Sequence, residues 1–497
     1  MVRAKKAVQP TKRLLLVLLT VMCFTTRQSF GASHMPTSKK KAARISADLE
    51  KAYCEKQYSS IEPQDDNKEI SLVWPISTYF IHSVGCALVY PALPRVVNEI
   101  VSGGESVTFQ SAGTYGLLTG LMGLCGFLTV SGAGTLSDQF GRKPFLILSA
   151  IGLGMNYLAA CFGKSVWILF LGAMIAGSTQ FMQCIGNAFV ADVVRPEKLP
   201  EALALFIGIG KGASFMLGIP LGGVLSHFCG YRAPIYAATG LCVLNLVYMV
   251  TALPEPLSRA ARNIRRSKRG TKVDLRGASP LGALKMVKRS PLITSLCAIY
   301  LCSTLATTAT VVNWVNYCQY KYGWGAAHIG LYLTVASLLF GALPRMVIPK
   351  LGVRNSITCG LLMQALGQLV LFFTPPGRWP LLLVGTVFNC LGAAADPALL
   401  GLLTNQVPAS EVGALQGACE TIRALTISVG NPIMAHIFGF FISDKRSIKV
   451  PGADLVVASI LLFISSATAR AVLYGHHNDI IYEVQAPVAP ETRVARK

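Results

Sequence analysis

Five ionisable side chains lie inside long apolar runs of this 497-residue sequence: His82, Lys211, Asp396, Glu420 and Arg423. A charged group at the centre of a membrane helix costs about 2.5 to 3.5 kcal/mol, so such residues usually serve a purpose or are paired. With a rise of about 1.5 Å per residue, all five fall roughly 10 to 17 Å from the same membrane face. We interpret them as one polar layer that binds protons or charged groups of a solute.

Each of these residues also has a structural interpretation. His82 has the chemistry to carry a proton near neutral pH, or to pack as a hydrogen-bonded histidine. Asp396 suits a cationic group or a proton, or is a helix-end acid that reaches the interface. Glu420 and Arg423 are three residues apart and share a helix face, which favours a structural pair. Lys211 suits an anionic solute, or a salt bridge to Asp396 or Glu420.

The elements that must position these residues are membrane helices. A mean hydropathy of +0.51, with 52% hydrophobic and 14% charged residues, does not fit a soluble chain of this length. About 20 apolar residues span a bilayer. Twelve candidate spans begin near Leu72, Thr114, Pro144, Val166, Ala202, Pro234, Leu292, Ala326, Asn355, Trp379, Val412 and Ala453.

The net charge of +22 is concentrated in two segments outside the spans. Residues 1–47 hold ten Lys or Arg and no acid, and residues 254–290 hold eleven against two acids. Basic loops on one side of the membrane are what the positive-inside rule expects of the cytoplasmic face. The charge therefore indicates membrane topology, and a nucleic-acid partner is not expected.

Catalytic and metal sites are not indicated by the remaining pattern. The 14 cysteines form no CxxC pair and lie mostly in apolar runs, and the other histidines are scattered. A glycine-rich nucleotide loop followed by Lys and Ser or Thr is also missing from the sequence. We expect no enzyme activity, no cofactor and no metal.

Span 5 contains two pairs of glycines spaced four apart, which let helix backbones approach closely. The predicted packing motif comprises Gly208, Gly212, Gly218, Pro220, Gly222 and Gly223.

The loop between spans 2 and 3 reads Gly134-Thr-Leu-Ser-Asp-Gln-Phe-Gly-Arg-Lys-Pro-Phe-Leu146. It resembles the loop signature of major facilitator superfamily transporters, with matching residues Gly134, Leu136, Asp138, Gly141, Arg142, Lys143 and Leu146. The resemblance implies an all-α membrane protein with the major facilitator fold, in which 12 transmembrane helices form two six-helix bundles. It also implies that the charged residues latch the two halves on the cytoplasmic side. In that family role Asp138 acts at a facing helix N-terminus, here near Ser410; the alternative is that these charges only anchor the topology.

The family arrangement implies domain boundaries and a central cavity. The expected parts are a basic N-terminal tail (1–71), two bundles (72–253 and 292–474), a basic cytoplasmic loop (254–291) and a C-terminal tail (475–497). Spans 1, 4, 7 and 10 line the cavity in this family, which places His82, Gln183, Asn187 and Asp396 on candidate solute-facing helices, with Asn313 and Asn316 at the outer end of span 7. A chain built from two six-helix halves should contain an internal sequence repeat. The sequence between spans 8 and 9 contains a weak second copy of the signature, in which Gly352 matches Gly141.

Other segments resemble the tetracycline-resistance-like drug/proton antiporter branch. Gly218-Ile-Pro-Leu-Gly-Gly223 is similar to the antiporter motif G-P-x-x-G-G with its proline shifted by one. Three further segments add to the likeness: Arg232-Ala-Pro234, Leu253-Pro-Glu255 and Gly413-Ala-Leu-Gln-Gly417. Span 4 departs from it, because Ala173 stands where the branch commonly carries an Arg used in proton coupling.

The N-terminus combines a basic region with a short apolar run, Leu14–Phe24. This pattern is typical of a signal-peptide core, whereas the basic residues after it favour the inner side of the membrane. A two-part plastid leader and an unprocessed tail of a plasma-membrane or endomembrane protein are both consistent with it.

The expected function is secondary transport of a small organic solute by alternating access, as proton-coupled export or antiport. The alternatives are a facilitator or symporter without proton antiport, and a transporter-like sensor or scaffold that moves nothing. The expected partners are the solute, protons and the lipid bilayer, and we expect a monomer.

Overall fold

The computed structural model describes residues 70–104, 106–194, 199–257, 284–407, 412–443 and 449–475. The predicted targeting segment, most of the basic loop, the C-terminal tail and Ser410 lie outside these residues. The described residues from Leu72 to Gly475 belong to one compact unit.

All the regular structure in the described residues is helical. The helices are α1 (Val73–Val89), α2 (Leu93–Ser102), α3 (Phe109–Phe140), α4 (Lys143–Phe162), α5 (Val166–Ser178), α6 (Met182–Val193), α7 (Leu199–Ile207), α8 (Ser214–Cys229), α9 (Ala233–Thr251), α10 (Pro291–Tyr322), α11 (Ala326–Phe373), α12 (Trp379–Gly392), α13 (Ala395–Asn405), α14 (Val412–Ile442) and α15 (Ala453–Gly475). A π-helix, Gly208–Ala213, joins α7 to α8, and a short 3₁₀ helix, Leu284–Lys288, precedes α10.

Eleven segments of the described chain are long and apolar enough to cross a membrane. They correspond to all the predicted spans except the eighth, which is the shorter apolar helix Ala327–Phe340. Spans 8 and 9 together make up α11, with Gly352 in a non-helical conformation between them. Local sequence sets several starts: the Thr108 side chain caps α3 together with Ser111, and Ser290 followed by Pro291 opens α10. The expected all-helical membrane fold is confirmed.

Two helix pairs make the most extensive contacts between the first six spans and the last six, and glycines allow the close approach in both. In the pair formed by α3 and α14, a Cβ added at Gly120 would lie 2.8 Å from the carbonyl oxygen of Ser428 and would overlap Pro432. In the pair formed by α8 and α11, a Cβ added at Gly330 would lie 2.7 Å from the Cα of Gly223. The halves therefore meet along spans 2 and 11 and along spans 5 and 8.

The end of the bundle away from the signature loop, here called the opposite end, is closed by contacts between span 1 and span 7. Tyr90 donates a hydrogen bond to the carbonyl oxygen of Val311 (2.9 Å), and Asn98 Nδ2 donates to Asn316 Oδ1 (3.3 Å). Arg95 Nη2 donates to the carbonyl oxygen of Trp324 (3.4 Å). These contacts hold the two halves together at that end.

The two halves share unusual backbone features at corresponding positions. Gly141, between spans 2 and 3, has φ 106° and ψ 162°, and Gly352, between spans 8 and 9, has φ 72° and ψ 166°. Both conformations are costly for a residue with a Cβ, which explains why the weak second copy of the signature has a glycine at this position although most of its other residues differ. Span 4 is interrupted between α5 and α6, and span 10 between α12 and α13. Each half thus has a broken helix as its fourth span, as inverted or parallel repeats predict.

Candidate functional site

The polar layer is centred on Glu420 and Arg423 of span 11. Arg423 Nε donates to Glu420 Oε2 at 3.0 Å, and the two side chains remain 51% (Glu420) and 36% (Arg423) exposed. Glu420 lies eight residues after the start of α14, about 12 Å along the helix. A charged pair this exposed inside a membrane helix is expected to face a wet cavity rather than lipid. The pairing anticipated for these residues is present in the structure.

Residues from both halves surround this pair. Tyr79 of span 1 and Tyr300 of span 7 lie within electrostatic range of Glu420 and Arg423. Tyr79 and Tyr300 are themselves almost fully buried. The pair therefore lies between the two halves, in the region that spans 1, 5, 7 and 11 enclose.

Lys211 comes from span 5 to the same region. It lies in the π-helix Gly208–Ala213, and π-turns inside helices occur frequently at functional sites because they redirect one side chain. Glu420 and Arg423 act electrostatically on its half-buried ammonium. Within the described part of the chain, that ammonium makes no hydrogen bond and no ion pair.

Asp396 lies at the break in span 10, in the first turn of α13. Ser303 of span 7 donates a hydrogen bond to Asp396 Oδ1 at 2.8 Å. A carboxylate in the first turn of a helix is stabilised by the helix dipole. The Asp396 carboxylate is therefore stabilised by a helix terminus and a hydroxyl group. Among the described residues, no cation binds it.

The amides of span 4 follow its break. Gln183 accepts a hydrogen bond from the Tyr79 hydroxyl (3.1 Å), which ties span 4 to span 1. Asn187 Oδ1, one turn further, has no hydrogen-bond partner within the described residues. The neighbouring Cys184 is exposed.

His82 and the asparagines of span 7 lie elsewhere. His82 lines a small cavity inside the first half, together with Tyr157 of span 3 and Asn245 of span 6. Asn313 donates to Asp454 Oδ2 (2.7 Å) and to the carbonyl oxygen of Met434, within the second half. Asn316 contributes to the closed opposite end. The structure thus removes His82 from the predicted polar layer. Asn313 and Asn316, expected at the outer end of span 7, each bind a neighbouring helix there.

The glycine motif of span 5 packs mainly against span 1. A Cβ added at Gly218 would lie 2.9 Å from the carbonyl oxygen of Val84, and one at Gly222 would lie 2.7 Å from that of Leu88. Gly212 has open space around it, and Gly210 packs against Tyr79 instead. The π-helix shifts the helical phase between Gly208 and Gly212, so regular spacing fails to predict the packed glycine. Pro220 lies within α8.

The signature loop is built around the Arg142 guanidinium. Nη2 binds Asp138 Oδ1 at 2.7 Å, Nε binds Asp192 Oδ2 at 2.8 Å, and Nη1 donates to Ser137 Oγ at 2.6 Å. Arg142 is almost fully buried. Its charge is therefore neutralised by acids at the ends of spans 2 and 4.

Glu255 completes this cluster from the end of span 6. Its carboxylate accepts the backbone N–H groups of Arg142 (2.8 Å) and Lys143 (2.9 Å), and so caps α4. The Lys143 ammonium donates to the carbonyl oxygen of Val250 (3.0 Å). Two other signature residues are less tightly packed: a Cβ added at Gly134 would meet no described residue within 4 Å, and Leu136 is half-buried. The helix N-terminus expected to face Asp138, near Ser410, lies outside the described residues.

At the opposite end, Arg232 precedes span 6 and binds Glu99 Oε2 at 2.7 Å. The hydrogen bond that Arg232 donates to the Glu99 carboxylate raises the pKa of Arg232 above its ordinary value. Burial, and then the hydrogen bond to Glu99, raise the pKa of Tyr231.

Sequence reasoning missed the roles of Tyr79, Ser303, Asp192 and Glu255. Asp192 and Glu255 end their spans as isolated acids beside apolar runs, a signal that they have a basic partner. The helix breaks had a weaker signal, in Gly177 followed by Thr179 and in Gly392.

A helical bundle with two joined halves, two broken fourth spans and a charged layer between them is the architecture of a secondary membrane transporter. The family model of the Major Facilitator Superfamily matches residues 76–431 and 296–475, and the chain belongs to that superfamily.

Relatives agree with this assignment. Tetracycline resistance protein, class C, of Escherichia coli is 27% identical over 411 residues, which cover 81% of this chain and 98% of that protein. The structure of the human organic anion transporter MFSD10 (TETRAN) is similar over 80% of this chain and 98% of that one, with a TM-score of 0.59 and 18% identity. A bacterial homolog of the human lysosomal transporter Spinster gives a TM-score of 0.65 at 12% identity, over 83% of this chain and 98% of that one. The chain is a multi-pass integral membrane transporter of a small solute, and not an enzyme.

Proposed function

We propose that this transporter exports a small organic solute in exchange for protons. The observation that carries the proposal is the Asp396 carboxylate, at a helix break, bound to a hydroxyl group of the neighbouring span 7 and half-buried. Such a carboxylate can gain and lose a proton without breaking an ion pair in the described residues. The relatives named as tetracycline resistance proteins give independent support for export.

Protonation of Asp396 changes the contact between spans 7 and 10. The ionised carboxylate accepts a charge-assisted hydrogen bond from Ser303, and the neutral acid makes a weaker one. Proton binding therefore loosens span 10 from span 7 while solute occupies the layer around Glu420. Proton binding and solute binding would therefore both change the packing of the same helices, as coupling between the two sites requires.

The signature cluster is proposed to control the other end. Arg142 joins spans 2 and 4, and Glu255 joins span 6 to the start of span 3, so this end of the first half moves as one piece. We assign Asp138, Arg142 and Lys143 to the latch between the conformations, and no solute contact to them.

The second candidate, facilitated transport without protons, is favoured by one observation. Ala173 of span 4 is completely buried, at the position where the related branch carries an arginine for proton coupling. Any proton route in this chain must therefore use other groups.

Solute flux into proteoliposomes distinguishes these candidates. With a solute identified by thermal-shift screening, we expect a pH gradient to drive accumulation by the wild-type chain. Asp396→Asn should retain solute binding and exchange but lose accumulation driven by the gradient. Equal flux with and without the gradient would favour the facilitator, and an Asp396→Asn variant that still accumulates solute would exclude Asp396 as the coupling acid.

A further inference from the structure

We propose that Asp454 is a proton-binding site of this transporter, separate from Asp396, and that its proton favours closure of the opposite end. The proton is shared with the side chain of Asn313, so the site joins spans 7 and 12. This inference rests on the proposed exchange with protons and adds a place in the second half where a proton is bound.

The site is a buried carboxylate whose hydrogen bonds are incomplete. Asp454 lies in the first turn of α15 and is 1% exposed. Its Oδ2 accepts a hydrogen bond from Asn313 Nδ2 (2.7 Å), whereas its Oδ1 and Asn313 Oδ1, also buried, have no partner within the described residues. The backbone N–H groups of Asp454 and Leu455 lie near the carboxylate, but neither bonds to Oδ1. Two buried acceptors without a donor are costly, so this pair favours a bound donor.

A proton on Asp454 Oδ1 supplies that donor. A protonated carboxyl group has one O–H donor, whereas an ionised one has acceptors only. The orientation of the Asn313 amide is fixed, because its nitrogen donates both to Asp454 Oδ2 and to the carbonyl oxygen of Met434 (3.0 Å). An amide oxygen in that place would face two acceptors. The nitrogen therefore faces the carboxylate, and the Asn313 oxygen is the acceptor for the carboxyl O–H group.

The ionisable groups around the site do not neutralise Asp454. Tyr317 of span 7 lies within electrostatic range, and its hydroxyl group accepts from the Lys321 ammonium (2.7 Å), which also donates to a backbone carbonyl of span 9 (2.6 Å). Residues 360–373 of span 9 hold no ionisable side chain. His436 of span 11 is exposed and faces span 2, and Lys449, before α15, is exposed as well. No cation of the described residues forms an ion pair with Asp454, so a proton is the cation that fits.

On span 7, the site is one turn away from a contact that closes the opposite end. Asn313 precedes Asn316 by three residues, and Asn316 Oδ1 accepts the hydrogen bond from Asn98 of the first half (3.3 Å). The position of Asn316 therefore depends on how firmly the neighbouring turn of span 7 is held by Asp454.

On span 11, the site is next to the contact with span 2. The carbonyl of Met434 binds the same amide, and the following residue, Ala435, packs against Gly116 so closely that a Cβ added there would overlap it. An ionised Asp454 would be an unpaired charge among three helices, which would separate to hydrate it and so weaken both contacts. Proton binding at Asp454 and closure of the opposite end are therefore linked.

The test is infrared spectroscopy of the purified full-length chain, which needs no solute. A protonated carboxyl group gives a carbonyl stretching band that carboxylates and amides lack. We expect the wild type to show such a band at neutral pH, and Asp454→Asn to lose it. The control is Glu99→Gln, which removes an acid of the same end that is paired with Arg232 and should leave the band unchanged.

A second variant covers the case in which Asp454→Asn does not fold. Asn313→Ala removes the amide that binds both oxygens of the acid, so the band should remain but move to higher frequency. A band at the wild-type position in Asn313→Ala would show that the proton is not shared with Asn313.

Thermal unfolding gives an independent measurement. A folded chain that holds a proton which the unfolded chain releases loses stability as the pH rises. The unfolding temperature of the wild type should therefore fall more between about pH 6 and about pH 9 than that of Asp454→Asn, and Glu99→Gln should follow the wild type.

The outcomes separate this inference from the proposed function. A band that Asp454→Asn retains, or equal pH dependence of the wild type and Asp454→Asn, would overturn the site. Accumulation of solute that is driven by a pH gradient and lost in Asp396→Asn would then leave the proposed exchange intact. A band assigned to Asp454 in a chain that never accumulates solute in a pH gradient would overturn the exchange and leave the site standing.

Discussion

Gly141 is the position where a single added methyl group should damage the signature loop most. Its φ of 106° is a left-handed conformation that L-residues rarely adopt, and a Cβ placed there would lie 2.7 Å from Glu255 Oε2. Gly141→Ala therefore strains the backbone and pushes the Glu255 carboxylate off the two N–H groups that it caps. We expect a less stable protein, with α4 loosened at its start.

The magnitude follows from these two effects. Backbone strain at a positive φ costs about 1 to 3 kcal/mol. Loss of one of the two charge-assisted hydrogen bonds of Glu255 costs about 1.5 to 3 kcal/mol. The total is about 2.5 to 6 kcal/mol, a large share of the stability of an ordinary domain.

The matched control is Gly134→Ala. Gly134 belongs to the same signature and lies within α3, but no described residue would touch an added Cβ. Helix propensity predicts no loss, or a gain of up to about 1 kcal/mol. Thermal unfolding of the detergent-purified chain, followed with a thiol-reactive dye that reports the buried cysteines, measures both variants.

A double-mutant cycle checks the reasoning. In a Glu255→Ala background, Gly141→Ala should cost only the strain, about 1 to 3 kcal/mol, because no capping bond is left to lose. Two results would refute the reasoning: equal effects of Gly141→Ala and Gly134→Ala, or strict additivity of Gly141→Ala with Glu255→Ala.

Three further predictions concern the latch, the interface between the halves and the opposite end. Asp138→Asn should slow transport several-fold in proteoliposomes and leave the solute Kd unchanged; abolished binding would show that Asp138 is not part of a latch. Gly120→Ala should lower stability by about 1 to 3 kcal/mol through overpacking against Pro432. The control Gly240→Ala, on an exposed helix surface where no described residue would meet the added methyl group, should not lower stability. Equal thermal shifts of the two variants would contradict this packing. Glu99→Gln should lower the free energy of unfolding by less than about 1 kcal/mol, because the ion pair of Glu99 with Arg232 is partly exposed. Since the pKa of Arg232 is raised, this loss should be the same at about pH 6 and about pH 9, and thermal unfolding at the two pH values checks it.

The sequence predicts the spans well because each is a long apolar run that the bilayer selects by length. The eighth span is the informative exception: its apolar part is short, and it continues through Gly352 into the ninth within α11. The signature loop is also predictable, since its glycine and charges are local in sequence.

The parts that could not be predicted depend on helix phase and on partners far along the chain. The π-helix, which contains Lys211, changes the helical phase, so that Gly210 is the packed glycine where Gly212 was expected. Hydropathy contains no information about such a local change of period. His82 was expected on a solute-facing helix, but its own face of that helix packs against spans 3 and 6. Glu255 binds Arg142 across more than a hundred residues, a distance at which spacing indicates nothing.

The most direct test of the central claim is a measurement of proton movement caused by solute. The chain is reconstituted into liposomes that contain a pH-sensitive dye, with equal pH on both sides, and solute is added outside. Exchange through the polar layer predicts that solute entry drives protons out and the lumen becomes alkaline, at a rate that Asp396→Asn abolishes. Solute entry without any change in luminal pH would contradict it.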